Sequence, residues 1–322
     1  MSNRGKSLII VPFRSIDVWH LERGFHGLVE EKWKSYLGQG NVIRRLKDKF
    51  KLLKADLKVW NKEVFGNLNT VKESILQDIE NIDCQESQCV SAERESQLRA
   101  NLVKKLWETD AKIESLYRQK ARINWLKYGD CCTKFFHSSL RWRRIRNEVK
   151  GVEIRGFWCE EPCTVRSEAK KLFESRFKAT KDYGVRVDEV EFKSLSPEAS
   201  LRLIEAFSEE EVKEVVWQCE GSKSPGPDGF NFNFIKKSWN SLKADFVAGV
   251  IPKGCNASFI ALVPKVREPC KLDQFRPISL VGAIYKVISK VLAGGIKKVL
   301  PTIIDGSQSA FIKDRGLADS VL

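Results

Sequence analysis

An arginine-rich stretch near the middle of the chain, residues 124–147, combines two kinds of side chain that contact unpaired nucleic acid. Its sequence is NWLKYGDCCTKFFHSSLRWRRIRN. Arginines neutralise phosphates, and flat aromatic rings stack on unpaired bases. The basic members are Arg141, Arg143, Arg144 and Arg146, and the aromatic members are Trp125, Tyr128, Phe135, Phe136 and Trp142. The pattern favours binding of RNA or single-stranded DNA; buried phenylalanines beside a solvated arginine face are the alternative.

The same stretch places His137 close to Cys131 and Cys132, and all three residues are of metal-ligating types. A fourth ligand is missing, and the spacing matches no common zinc site. The nine cysteines of the chain include no Cys-x-x-Cys pair, so neither a four-cysteine zinc site nor a disulfide framework is predicted. We therefore expect no metal here and reduced thiols, which are typical of an intracellular protein.

The charge balance of the whole chain points to a polyanionic partner. Lysine and arginine number 56 against 42 aspartates and glutamates, which gives a net charge of +14. A strongly basic protein of this size is expected to bind nucleic acid first. The apolar segment SLIIVPF covers only seven residues, too short for a membrane span, so no membrane role is predicted. A nuclear location is compatible with the basic groups, although phosphate binding explains them equally.

Two stripes of apolar residues predict the elements that hold the arginine-rich stretch. Residues 43–82 show apolar positions spaced by threes and fours without interruption, which predicts one long amphipathic helix. A polar interval at residues 83–91 follows, and a second stripe runs over residues 98–126. The two stripes predict an antiparallel helical hairpin. A coiled-coil protein that associates with a partner or with itself is the alternative.

Shorter patterns divide the remainder of the chain. The segment VKGVEIRGFWCEEP predicts a β-hairpin with Arg155 and Gly156 at the bend, and Ser208 with Glu211 forms a capping box that opens a helix. We therefore expect an α+β, mainly α chain with four segments. These are an N-terminal remnant (1–40), the basic hairpin with the arginine-rich stretch (41–147), a connector (148–207) and a C-terminal module (208–322).

The C-terminal module opens with the loop sequence SKSPGPDGFNFNF, residues 222–234. Proline restricts φ and removes a donor, and glycine permits positive φ, so this run cannot be a helix or a central strand. A strand-like segment, FIALVPK, ends at Lys265, and the segment FRPISL carries Arg276. The block SQSAFIKDRG, with Gln308 and Phe311, follows after a helical stretch. Taken alone, the loop is compatible with any sharp turn between helices.

In this order and spacing, these blocks resemble the N-terminal reverse-transcriptase blocks of plant non-LTR (LINE-type) retrotransposons over about residues 208–322. The upstream stretches LKADLKVWNKEVFGNL and NWLKYGDCCTKFFH are similar to the region that joins endonuclease and polymerase in the same polyproteins. The resemblance implies an incomplete right-hand polymerase module, comprising fingers and upper palm. Residues 1–40 do not resemble the endonuclease, which indicates an internal piece of a decayed element or a transposon-derived product without function.

The resemblance also implies roles for individual residues. Lys265 and Arg276 fall where the family places cations that contact the nucleotide triphosphate, a role that agrees with the need for positive charge at a transferring phosphoryl group. The loop residues Pro225, Gly226, Asp228 and Gly229 would lie near the template strand. Gln308 and Phe311 would support the nucleotide site and the template path.

The acidic residues of a polymerase are missing from the sequence. Two-metal nucleotidyl transfer needs paired carboxylates a few ångströms apart, and no two aspartates are adjacent in this chain. In the family they lie beyond the SQSAF block. We therefore expect no catalytic or metal-binding residue and no polymerase activity from the chain alone. Magnesium and a nucleoside triphosphate would belong to the complete enzyme.

Overall fold

The protein is mostly helical. The computed structural model describes residues 12–37, 42–85, 92–122, 133–178, 193–248 and 258–305, together with positions 308 and 312. Helices dominate these residues, and the strands form two small antiparallel sheets, which confirms the α+β, mainly α prediction. No described helix combines the length and the apolar character that crossing a membrane requires.

The elements follow one another in a simple order along the chain. The first helices are α1 (Phe25–Ser35), α2 (Val42–Trp60), α3 (Leu68–Gln85), α4 (Ala92–Ala121), α5 (Thr133–Asn147) and α6 (Pro162–Phe177). The later helices are α7 (Pro197–Ile204), α8 (Glu209–Gln218), α9 (Phe232–Lys237), α10 (Trp239–Val247) and α11 (Ala283–Ile303). The strands are β1 (Val152–Ile154), β2 (Phe157–Cys159), β3 (Ser258–Pro264) and β4 (Phe275–Val281).

The predicted helical hairpin is present and is formed by α3 and α4. Two ion pairs define its antiparallel direction: Lys72 Nζ lies 2.7 Å from Asp110 Oδ1, and Arg99 Nε lies 2.6 Å from Asp83 Oδ1. The start of α3 thus meets the later part of α4, and its end meets the early part of α4. Both pairs are half-exposed, so they set the direction more than they add stability.

The prediction of one uninterrupted helix over residues 43–82 is wrong, because the chain leaves the helix between α2 and α3. A π-helical turn (Asn61–Phe65) follows α2, and Gly66 adopts φ 66°. The amide of Gly66 donates to the carbonyl of Asn61 at 2.9 Å, and the side-chain oxygen of Asn61 accepts from Trp19 Nε1 at 2.8 Å. Because Phe65 and Leu68 keep helical spacing across the turn, the apolar pattern could not reveal the break.

A large hydrophobic core is built around α2. Its apolar face, made of Leu46, Phe50, Leu53 and Leu57, is fully buried against α1, α10 and the loop that precedes α9. The stripe predicted for residues 43–57 therefore packs into the globular body, and the hairpin begins only with α3. Burying four such side chains contributes on the order of 6–12 kcal/mol of gross hydrophobic free energy.

The N-terminal segment is part of this core. Trp19, Phe25 and Trp33 are almost completely buried, although residues 1–40 contributed no recognisable motif. Trp33 Nε1 donates to Asp245 Oδ2 at 2.8 Å, and Lys49 Nζ lies 2.9 Å from the same oxygen. One network thus joins α1, α2 and α10, and the described part of segment 1–40 folds together with the C-terminal module.

The two local predictions in the connector and the C-terminal module are confirmed. β1 and β2 pair antiparallel with Arg155 and Gly156 at the bend, both at positive φ. Ser208 and Glu211 exchange the two hydrogen bonds of a capping box at the start of α8.

His20 is a half-buried ionisable residue at the edge of the core. It lies in a short 3-10 turn (Asp17–Leu21), with ring centroids 5.2 Å from Phe25 and 5.5 Å from Phe234. Within the described residues neither of its ring nitrogens has a hydrogen-bond partner. Burial lowers the pKa of His20 to about 3, and the neighbouring charges of Lys237 and His26 act in the same direction.

His20 should make the fold acid-sensitive. The unfolded chain takes up a proton near the ordinary histidine pKa of 6.5, whereas the folded chain resists it down to about pH 3. Stability should therefore decline as the pH falls through this window, by at most about 1.4 kcal/mol per pH unit. The substitution His20→Phe should remove this slope in urea unfolding measured between roughly pH 7 and pH 4.5. His137→Gln, at an exposed histidine, is the control; parallel profiles for His20→Phe and wild type would contradict the assignment.

Candidate nucleic-acid interface

The β3–β4 hairpin places Lys265 and Arg276 on one face. Val263 is paired with Arg276, and the amide of Lys265 donates to the carbonyl of Gln274 at 2.8 Å, which extends the ladder by one residue. Because side chains alternate along a strand, Val263, Lys265 and Arg276 point to the same side, with the two cations in a diagonal relation of about 7–8 Å. Both side chains are exposed. Lys265 Nζ donates to the carbonyl of Asp273 at 2.7 Å, so it would have to leave this bond to contact a polyphosphate together with Arg276.

The other face of the hairpin is partly covered by α6. Ile260 and Leu262 lie on that face and line a groove of about 660 Å³ with Phe173 and other residues of α6. Phe275, on the same side, is almost completely buried. The turn between the strands is held by the connector, because the amide of Glu153 donates to the carbonyl of Cys270 at 2.6 Å. These contacts leave the face with Lys265 and Arg276 open to a ligand.

Helix α5 presents the predicted arginines to solvent. Arg141, Arg143, Arg144 and Arg146 are all exposed. The helix is anchored through Phe136, which is buried against Ala121 and Tyr117 of α4. The ring of His137 also lies 4.4 Å from that of Tyr117. α5 also contacts β3, so the helix and the β3–β4 hairpin are neighbours.

The aromatic residues of the arginine-rich stretch divide between the core and the surface. Phe136 is buried, as the structural alternative for this stretch required, whereas Phe135 is 38% exposed and Trp142 is 73% exposed. Trp142 therefore remains available for base stacking. Trp125 and Tyr128, together with Cys131 and Cys132, lie outside the described residues. Among the described residues no group of three or more His, Cys, Asp or Glu side chains could hold a metal ion.

Two arginines that the sequence did not suggest lie beside α5. Arg122 ends α4 with φ 53°, and burial lowers the pKa of its guanidinium, with Arg14 and Arg143 acting in the same direction through their charges. Arg14 reaches this place because Gln119 binds the backbone of the N-terminal segment next to it. Its Nε2 donates to the carbonyl of Ser15, and its Oε1 accepts from the amide of Asp17, both at 3.0 Å. The convergence depends on contacts over more than a hundred residues, so no local pattern could reveal it.

The loop of residues 222–231 packs against the protein's own backbone. A Cβ on Gly226 would lie 2.4 Å from the carbonyl carbon of Val281, and one on Gly229 would lie 2.5 Å from the ring of Phe13. Gly229 also has φ 85°, and its carbonyl accepts from the amide of Ser15 at 2.8 Å. Both glycines are therefore required by internal packing. Pro225 is half-buried beside Lys286, and the contact of this loop with a template strand remains a prediction.

Asp228 holds the start of α11. Its Oδ2 accepts from the amide of Ala283, the first residue of the helix, at 2.5 Å. Burial raises the pKa of this carboxyl, and the amides of Ala283, Gly229 and Phe230 oppose that effect by favouring the charged form. Oδ1 is buried without a partner of hydrogen-bond geometry among the described residues. Asp228 therefore acts as a helix cap, in an environment that resists its charge.

The predicted site residues do not all lie together. Arg276 and Val281 are five residues apart on β4, about 17 Å, so the loop meets the end of the strand remote from Arg276. Gln308 is exposed and follows the far end of α11, a 21-residue helix about 31 Å long. Phe311 lies outside the described residues. The β3–β4 hairpin thus carries Lys265 and Arg276 on one face and contacts α5, whereas the loop lies at the end of β4 remote from Arg276.

Gly226 provides a direct test of the loop's packing. Gly226→Ala should lower the free energy of unfolding by about 1–3 kcal/mol, because the new methyl group meets backbone atoms that cannot move aside cheaply. Gly294→Ala is the matched control. It lies inside α11 with open space at its Cβ and should raise stability by up to about 1 kcal/mol. Urea unfolding measures both; a Gly226→Ala variant as stable as wild type would exclude this packing.

Comparison with known proteins gives a transposon relative. No known family profile matches the chain. The chain is 22% identical over 331 residues to the "Transposon TX1 uncharacterized 149 kDa protein" of Xenopus laevis. The alignment covers 94% of this chain and 25% of that protein, so the chain spans about a quarter of the relative's length. The similarity supports a transposon origin for this chain.

Proposed function

We propose that this chain is the connector and fingers part of a LINE-type reverse transcriptase and that it binds RNA or single-stranded DNA. Similarity to a transposon protein over nearly the whole chain and the ordered sequence blocks support this assignment. The observation that carries the binding function is α5, whose exposed arginines stand on a helix anchored to α4 and adjacent to β3.

The surface offers the two contacts that a single strand needs. Arg141 and Arg144 are one helical turn apart and share a face of α5, so they can contact neighbouring phosphates. Trp142 is exposed beside them and can stack on a base. Arg14 and Arg122 extend the positive surface toward the N-terminal segment. Lys265 and Arg276 would meet the triphosphate of a nucleotide in the complete enzyme.

The proposal gives this chain a binding role. Two-metal nucleotidyl transfer requires carboxylates in pairs, and the sequence contains no adjacent aspartates. Magnesium binding is therefore assigned to the complete enzyme.

Binding of single-stranded RNA tests the proposal. The logarithm of the affinity should fall with the logarithm of the salt concentration, with a slope of about −0.7 per phosphate contact. Replacing Arg141 and Arg144 by glutamine should weaken binding and reduce the slope by about 1.4. The measurement is fluorescence anisotropy of a labelled oligonucleotide at several salt concentrations.

A matched variant distinguishes the loss of this site from a general loss of positive charge. Lys104 and Lys105 are exposed on α4, about 26 Å before its C-terminal end, and replacing both by glutamine changes the net charge equally. This control should bind nearly as wild type does. Binding without salt dependence, or an equal effect of the two pairs, would contradict the proposed surface.

A coiled-coil interaction protein is the second candidate, and exposed apolar residues on the α3–α4 hairpin favour it. Leu76 and Leu98 are partly exposed, and Trp107 is 74% exposed. If the hairpin associates, the sedimentation coefficient of the full chain should rise with concentration, and Trp107→Glu should abolish that rise. A coefficient independent of concentration would exclude self-association.

A further inference from the structure

A second positively charged site lies away from α5. A cavity of about 390 Å³ is enclosed by α2, the loop at Pro227 and Asp228, and the first turn of α11. Its α2 side carries Lys47, Lys51 and Lys54. The opposite side is formed by Gly282, Ile284 and Tyr285. The volume falls in the range of small-molecule sites, and the lining is cationic and aromatic.

The lysines are held in place by the core. Their spacing of four and three residues puts them on one face of α2, while the other face is buried. Lys54 Nζ donates to the carbonyl of Pro227 at 3.2 Å and lies 5.6 Å from the ring centre of Phe13. Lys47 and Lys51 are exposed at the rim. A rigid helix thus presents three cations to one space.

Among the described residues that line the cavity, acidic side chains are fewer than lysines. Asp48 and Asp228 are its two carboxylates, against three ammonium groups. Asp228 is engaged with the amide of Ala283, and its pKa is raised by burial, so its negative charge is disfavoured. The pKa of Lys54 is lowered, first by burial and then by the charge of Lys58. The charge of Asp228 acts in the opposite direction, and an anion in the cavity would likewise favour the charged form of Lys54.

Helix α11 adds positive potential from the opposite side. Its N-cap is Gly282, which has no side chain to accept from the first turn, and within the described residues the one first-turn amide that Asp228 accepts from is that of Ala283. The first turn, with Ile284 and Tyr285, borders the cavity. The partial positive charge of a helix N-terminus favours phosphate groups. The lysines and the helix end belong to separate elements and converge on the same space.

We propose that this cavity binds the phosphate of one nucleotide unit of an RNA strand, as a second anchor beside the α5 surface. The inference rests on the proposed function for the strand itself. The lysines of α2 contact the phosphate, and Tyr285 offers a ring to the base. A free nucleotide has the same chemistry, so the test includes both sources.

The experiment compares Lys47→Gln/Lys51→Gln with the wild-type full chain. Both positions are exposed and glutamine is a good helix former, so α2 should remain intact. Anisotropy with a labelled oligo(A) RNA should show weaker binding and a salt slope reduced by about 1.4, as expected for two lost phosphate contacts. The double variant Lys243→Gln/Lys298→Gln removes the same charge at two exposed ion pairs elsewhere and should leave the slope unchanged.

Two results decide the cavity proposal separately from the α5 surface. One is RNA binding by Lys47→Gln/Lys51→Gln that matches wild type, while Arg141→Gln/Arg144→Gln weakens it; the proposed function would then stand without the cavity. The second result is a wild-type chain that does not bind RNA, in which case the proposed function fails. In that case ATP is tested as the ligand. ATP binding that Lys47→Gln/Lys51→Gln abolishes would support a free-nucleotide site. If ATP does not bind at all, the cavity is excluded as a phosphate site.

Discussion

The arrangement of this protein depends on a buried hydrogen-bond cluster around Asn231. The side-chain oxygen of Asn231 accepts from the amide of Phe234 at 2.9 Å and from Ser15 Oγ at 3.2 Å, and its Nδ2 donates to Asp17 Oδ1 at 2.7 Å. Asn231 and Ser15 are 4% and 2% exposed. A buried amide whose hydrogen bonds are all formed favours one packing of the surrounding segments. Any other packing would leave a buried polar group unsatisfied, at a cost of about 1–3 kcal/mol for each lost partner. The N-terminal segment is thereby joined to the start of α9.

The position of each candidate surface follows from that cluster. Ser15 and Asp17 bind Gln119, which brings the C-terminal end of α4 to the N-terminal segment. α5 packs on that end of α4 through Phe136, so the arginines are placed by contacts that begin at Asn231. On the other side, Asp228 lies three residues before Asn231 and caps α11, whose first turn borders the lysines of α2. One buried cluster therefore sets two positively charged surfaces.

Whether a feature could be predicted from the sequence depends on how far apart along the chain its interacting residues lie. The capping box at Ser208 and the bend at Arg155 depend on neighbours within four residues, and both were predictable. Lys265 and Arg276 share a face because of the register in which β3 and β4 pair. The sequences of two apolar strands do not determine that register. The break at Gly66 was hidden because the apolar spacing continues across it. The burial of Trp19 and the approach of Arg14 to Arg122 depend on contacts between distant parts of the chain.

The loop SKSPGPDG shows that internal packing alone can require a proline- and glycine-rich sequence. Gly226 and Gly229 are needed where the loop passes within van der Waals distance of Val281 and Phe13, and Asp228 is needed to start α11. A substitution at any of these positions would displace α11 or the N-terminal segment before it altered any exposed surface. The lysines of α2 and the first turn of α11 border the same cavity only while the loop keeps this conformation. The two charged surfaces therefore keep their geometry only while this proline- and glycine-rich loop holds its conformation.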